Sequence, residues 1–164
     1  MIKHDSMRGW FAYELYQYMS EDKDIYCIVG DLGYGVFDKI RDDFPDRFIN
    51  TGAAETAMMD IAVGLAMSGK IPVVYSITTF LLYRPFEVIR NYINHEGWSV
   101  KMVGSGRGRD YKHDGWSHDA SDVKRYLRPM LTICQDWPEE KEDISSLMDE
   151  FLYDKKPHFL SLRR

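Results

Sequence analysis

The segment Ile71–Ile77, Ile-Pro-Val-Val-Tyr-Ser-Ile, holds no charged residue and no alternation of polar and apolar side chains. A strand of that kind is buried on both faces, the situation of a parallel sheet covered by helices. Upstream, a helical pattern opens at Glu55 and is stopped by Gly69, with Met58, Met59, Ile61, Ala62, Leu65 and Ala66 spaced by three and four. Downstream, Thr78, Thr79 and Phe80 lead into a second helix that carries Phe86, Ile89, Tyr92 and Ile93, with Pro85 in its first turn. A helix, a fully buried strand and a helix in succession require an α/β architecture.

The remainder of the chain repeats this alternation. Ser6 caps a helix through about Met19, and Val36–Asp43 and Ile144–Phe151 read as further helices, the last beginning near Pro138. Ile25–Val29, Arg47–Asn50, Val100–Val103, Pro129–Gln135 and Pro157–Leu162 read as strands, and Asp119–Tyr126 as a helical turn. The expectation is a doubly wound, mostly parallel sheet with helices on both faces. Neither a repeat nor a linker divides the chain, so residues 1–164 are expected to form one domain.

Charge excludes one class of partner. Lys and Arg number 21 against 26 for Asp and Glu, a net charge of −5, whereas a nucleic-acid binder needs a concentrated basic face. The apolar runs are too short to span a bilayer, and Met1–Trp10 lacks the apolar core of a signal peptide. Cys27 and Cys134 sit in apolar strand-like runs and read as buried, inert thiols, so a reducing cytoplasm is the expected location. Aromatic residues are 14% of the chain, which leaves apolar surface to place either in a core or against a partner.

In an open α/β sheet, ligands bind beyond the C-terminal ends of the strands. Two such ends carry chemistry here. The turn Thr51–Ala54 delivers Glu55 to a helix N-terminus, and Ile77 delivers Phe80. A third end, Gly30-Asp31-Leu32-Gly33-Tyr34-Gly35, is glycine-rich, but lacks the Gly-Lys-Ser/Thr of a phosphate loop and the spacing of a dinucleotide fingerprint. By itself it is a tight connection, or the loop of a flavodoxin-like nucleotide module. Gly104–Ser121 is a long polar loop without hydrophobic period, the kind that usually carries function.

Three motifs together are specific. Thr51-Gly-Ala-Ala-Glu55-Thr-Ala-Met-Met with Ile61-Ala-Val-Gly-Leu-Ala66, then Thr79-Phe80-Leu-Leu-Tyr83-Arg84-Pro85-Phe86-Glu-Val-Ile-Arg90, then Asp114-Gly115-Trp116-Ser117-His118, occur in order over nearly the whole chain. This set resembles the pyrimidine-binding domain of transketolase-type thiamine diphosphate enzymes. The resemblance implies that Glu55 is the carboxylate that hydrogen-bonds the aminopyrimidine, and that Phe80 stacks on that ring. It also implies that Tyr83 and Phe86 are further aromatics around the ring, that His118 lies near the substrate, and that Asp31 lies at the rim. Trp116 departs from the smaller residue usual at its place, and His113 matches no motif position. Gly30-Asp31-Leu32-Gly33 is not the Gly-Asp-Gly motif that grips the diphosphate in this family, and no suitable Asn follows it.

The resemblance therefore implies half a site. Thiamine diphosphate would be shared with a separate diphosphate-binding subunit holding Mg2+ or Ca2+, with no metal on this chain. An α2β2 heterotetramer is the implied assembly, and a sugar phosphate or 2-oxo acid the implied substrate. The expected activity is two-carbon ketol transfer. The alternatives are a 2-oxo acid decarboxylase or deoxyxylulose phosphate synthase-like subunit and a non-catalytic scaffold.

Overall fold

The computed structural model describes residues 5–164, so the first four residues of the segment read above for a leader, and of the 1–164 domain, lie outside the described residues. Helix α1 (Met7–Glu21) starts as the sequence predicts, the Ser6 hydroxyl accepting the Gly9 N–H at 3.1 Å. There follow β1 (Ile25–Val29), α2 (Asp38–Asp43), β2 (Phe48–Asn50), α3 (Glu55–Met67), β3 (Ile71–Ile77) and α4 (Thr78–Tyr83). Beyond Pro85 a short helix α5 (Phe86–Val88) runs into a π-helical stretch, Ile89–His95. The chain closes with β4 (Lys101–Ser105), α6 (Val123–Leu127), β5 (Cys134–Asp136), α7 (Asp143–Tyr153) and β6 (His158–Leu162).

The strands form one sheet in the order β2-β1-β3-β4-β6-β5, and every pairing is parallel. Successive strand residues point to opposite faces, and the core divides accordingly. On one face Cys27, Val73, Tyr75, Val103 and Leu160 pack with Phe11, Leu15 and Met19 of α1 and Ile144, Met148 and Phe151 of α7. On the other, Ile28, Val74, Met102 and Phe159 pack with Met58, Met59 and Ala62 of α3, Leu81 and Leu82 of α4, and Ile89 and Ile93. Helices thus cover both faces, the doubly wound architecture that the buried run Ile71–Ile77 demands. Among the described residues, no helix is long and apolar enough to cross a membrane.

Several boundaries differ from expectation. The apolar residues Met130 and Ile133 are buried in a loop, and only Cys134–Asp136 pairs, with β6, so the fifth strand is shorter and later than Pro129–Gln135. Helix α7 begins at Asp143 rather than near Pro138. Gly104 and Ser105 belong to β4, not to the loop, because they pair with Ser76 and Ile77 of β3. In α3, α5 and the π-helical stretch, Ile61, Phe86 and Tyr92 face outward at 38%, 45% and 43% exposure. The inner faces are filled instead by Met58, Met59, Ala62 and Val63, and by Ile89 and Ile93.

Candidate active site

The strand order reverses at the centre of the sheet: β1 leads to β2 on one side, and the chain then returns to place β3 on the other. A crevice at the C-terminal ends of β1 and β3 follows from that topology. Glu55, the first residue of α3, enters it. Its side chain is 1% exposed, an unusual state for an acid unless it is partnered. One oxygen accepts from the Ser76 hydroxyl of β3 at 3.4 Å, and the other accepts from the Arg84 guanidinium at 2.6 Å. The α3 N-terminus adds favourable dipole field. Gly30, just past β1, borders the acid: a Cβ there would lie 3.5 Å from the same carboxylate, an ordinary van der Waals contact.

Arg84 connects the acid to the aromatic residue. Its guanidinium carbon lies 3.8 Å from the centroid of the Phe80 ring, a close cation–π stack between residues four apart on α4. Phe80 also packs against His118, with ring centroids 4.8 Å apart and edge-on geometry. Tyr111 is a further ring neighbour of His118, with centroids 6.2 Å apart. Glu55, Arg84, Phe80 and His118 therefore form one continuous line of contacts.

The loop that presents His118 is built, not slack. Short 3-10 turns cover Lys112–Asp114 and Trp116–His118, and a single bridge joins Gly108 to Ala120. The buried Tyr111 hydroxyl pairs with the Ser105 hydroxyl at 2.8 Å. Gly106 adopts φ +85°, and a Cβ there would fall 2.2 Å from the Tyr111 ring, so only glycine permits this packing.

The other predicted residues stand further out. Tyr83 and Phe86 gather around Tyr126, with centroids 5.0 and 5.5 Å away, and the Tyr83 hydroxyl donates to Asp122. Burial first, then the Asp122 carboxylate, push the Tyr83 hydroxyl pKa up. Asp31 follows Gly30 in a left-handed conformation, φ +55°, and its carboxylate accepts from the Tyr34 hydroxyl at 2.7 Å. Trp116 is 85% exposed, and His113 is exposed as well. The cleft beside the Gly30–Gly35 loop holds about 220 Å³ and is lined by Phe37, Asp38, Arg41 and Asn50 among others, small for a nucleotide and charge-balanced rather than basic.

A second polar cluster lies at the opposite strand ends. The buried His158 ring pairs through Nδ1 with Asp136 at 3.1 Å and through Nε2 with Asp154 at 3.2 Å, and Cys134 lies beside it. The buried Lys101 ammonium donates to the carbonyls of Asp154 and Lys156 at 2.6 and 2.8 Å. Cys134 is only partly buried, unlike Cys27, but burial still raises its thiol pKa, as it does for Cys27.

Arg84, Ser76, Thr79 and Tyr111 are site residues that sequence reasoning missed. For Arg84 a signal existed: it lies four residues after Phe80 on a helix, the spacing that stacks side chains. For Tyr111 there was none, because its partner Ser105 is brought close by the fold.

The family model for the transketolase pyrimidine-binding domain matches residues 4–164. The chain belongs to this family. A putative transketolase C-terminal section from Methanocaldococcus jannaschii is 41% identical over 95 residues, 56% of this chain and 30% of that protein. The 6-deoxy-6-sulfo-D-fructose transketolase subunit of a Clostridium species is 27% identical over 161 residues, 96% of this chain and 49% of that protein. A solved split-gene transketolase, described as an inactive β4 tetramer, superposes with TM-score 0.85 at 26% identity, over 97% of this chain and 51% of that one. This transketolase pyrimidine-binding domain thus spans about half or less of the length of those proteins.

Proposed function

We propose that this chain is the pyrimidine-binding subunit of a split, transketolase-like thiamine diphosphate enzyme that moves a two-carbon ketol unit from a sugar or 2-oxo acid donor. The observation that carries the reading is the buried Glu55 carboxylate, held at the β1–β3 crevice one contact away from the Phe80 ring. The space between acid and ring already accepts a flat, N–H-bearing group, since the Arg84 guanidinium lies there, so the residues fit an aminopyrimidine in shape and polarity.

When bound, the cofactor supplies a nucleophilic carbon for attack on a ketone. Glu55 holds a proton at the pyrimidine ring nitrogen, and its low exposure keeps water from competing for it. Phe80 fixes the plane of the ring; Tyr83 and Phe86, packed on Tyr126, form the wall behind it, and Asp31 forms the rim. His118 reaches the substrate side and donates a hydrogen bond to a developing oxyanion. The diphosphate and its Mg2+ or Ca2+ belong to a partner subunit in an α2β2 assembly. The exposed Ile61, Phe86, Tyr92 and Trp116 supply apolar surface for that contact. The free thiols Cys27 and Cys134 suit a reducing cytoplasm.

The test is co-expression with the diphosphate-binding partner, followed by cofactor titration and turnover with ketose phosphate and 2-oxo acid donors. Glu55→Gln keeps the volume and removes the acid. It is expected to assemble with the partner and to lose at least ~100-fold in kcat. Full activity in that variant removes the catalytic assignment.

A further inference from the structure

Every cofactor contact assigned above to Glu55 and Phe80 is already made, within this chain, by Arg84. The guanidinium is flat and cationic, donates to Glu55 at 2.6 Å and stacks on Phe80 at 3.8 Å. An aminopyrimidine protonated at its ring nitrogen has the same three properties: planarity, a ring-edge N–H for a carboxylate, and a face for an aromatic ring. We propose that Arg84 is an internal surrogate for the pyrimidine, seated between Glu55 and Phe80, and that binding of the heterocycle requires it to swing out. This inference rests on the preceding assignment of the pyrimidine site.

The geometry makes such an exchange feasible without refolding. The Arg84 side chain is 42% exposed, so its outer part borders solvent and can rotate into it, whereas Glu55 is 1% exposed by its side chain and stays. The Arg84 backbone is fixed on both sides. Its N–H bonds the Phe80 carbonyl at 3.4 Å, its carbonyl accepts from the Thr56 hydroxyl at 3.4 Å, and Pro85 follows. Rotation is therefore confined to side-chain torsions, which are fast. The seated arginine satisfies a buried carboxylate that would otherwise lie in the crevice without a cationic partner. It also keeps Phe80 and Glu55 in their relative places. The consequence is competition: whatever free energy the guanidinium gains in the seat is subtracted from the apparent affinity of the heterocycle.

The test uses the full chain and 4-amino-5-hydroxymethyl-2-methylpyrimidine, the pyrimidine half of thiamine, titrated by calorimetry and by aromatic proton NMR shifts. Arg84→Ala is expected to bind the pyrimidine about five- to tenfold tighter than the unaltered chain, the size of a part-exposed cation–π contact. Arg84→Lys, which keeps charge but loses the flat stack, is expected to fall between them. Equal or weaker binding by a folded Arg84→Ala chain overturns the surrogate role and leaves the pyrimidine site standing. No saturable binding by any of the three at millimolar pyrimidine, in the chain alone and again with the diphosphate-binding partner present, overturns the site itself and the inference with it. If Arg84→Ala unfolds, the comparison of Arg84→Lys with the unaltered chain decides by the same criterion.

Discussion

The hydroxyl of Thr79 donates to the main-chain carbonyl of Ser117 at 2.7 Å, so the helix that carries Phe80 also holds the loop that carries His118. Thr79 is buried and Ser117 exposed, which makes this bond an anchor for a surface loop rather than part of the core. A neutral hydrogen bond of this kind contributes ~1 kcal/mol net. Thr79→Val keeps the shape and removes the donor. In the assembled enzyme, kcat is expected to fall by several-fold while cofactor affinity changes little, because Glu55 and Phe80 are untouched. Steady-state kinetics at saturating cofactor separates the two quantities.

Gly104 is required by contact, not by backbone angle. A Cβ at this position would lie 2.6 Å from the Thr78 hydroxyl and 2.9 Å from the Phe159 ring, both in the core. Overpacking of this sort costs about 1–3 kcal/mol. Gly104→Ala is expected to lower the free energy of unfolding, measured by urea titration, by that amount. The Thr78 hydroxyl, which bonds the carbonyls of Ser105 and Gly106 at 3.1 and 2.7 Å, would be displaced with it.

The elements that could be read from the sequence are those whose pattern is local. Ile25–Val29 and Ile71–Ile77 come out at their observed bounds because each is a continuous apolar run closed by a turn signal. The fifth strand does not, since three residues pairing with β6 leave no periodicity of their own. The same division runs through the site. Glu55 and Phe80 are carried by motifs, and the fold places both at the crevice. The Glu55–Arg84 bond joins residues 29 apart, and the Ser105–Tyr111 bond depends on how β4 leaves the sheet. Phe86 and Ile61 turn outward against their helical spacing for a related reason: spacing ranks faces, but only packing decides which one turns inward.

Phe80 and Tyr83 should separate on substitution. Phe80→Ala removes the ring face of the seat and is expected to weaken cofactor binding by about tenfold, the value of a well-formed aromatic stack. Tyr83→Phe removes only the hydroxyl that donates to Asp122 and is expected to alter affinity less than twofold. It should still lower unfolding stability by roughly 0.5–1.5 kcal/mol. Cofactor titration beside thermal unfolding of the two variants checks the contrast.

Lys101 gives the fold a pH dependence at its alkaline side. Burial holds the ammonium pKa down to about 8, below the ordinary 10.5, with Asp154 the largest opposing influence. Between those two values the unfolded chain binds more protons than the folded one, so this group makes stability rise with pH from about 8 to 10.5. Below 8 both states are protonated and the destabilisation is complete. Its full span is of order 3 kcal/mol at ~1.4 kcal/mol per unit. Lys101→Met is expected to flatten that slope, read as the difference between unfolding free energies of the two proteins from pH 7 to 10.

The outermost strands, β2 and β5, are three residues each. So brief a margin offers few unpaired main-chain groups for another strand to grip, and lateral zippering of one molecule onto the next is thereby discouraged. The helical flanks and the loop-bearing end are left as the faces on which the proposed partner would dock. That is the direction from which a second polypeptide can complete a cleft without prying the fold apart.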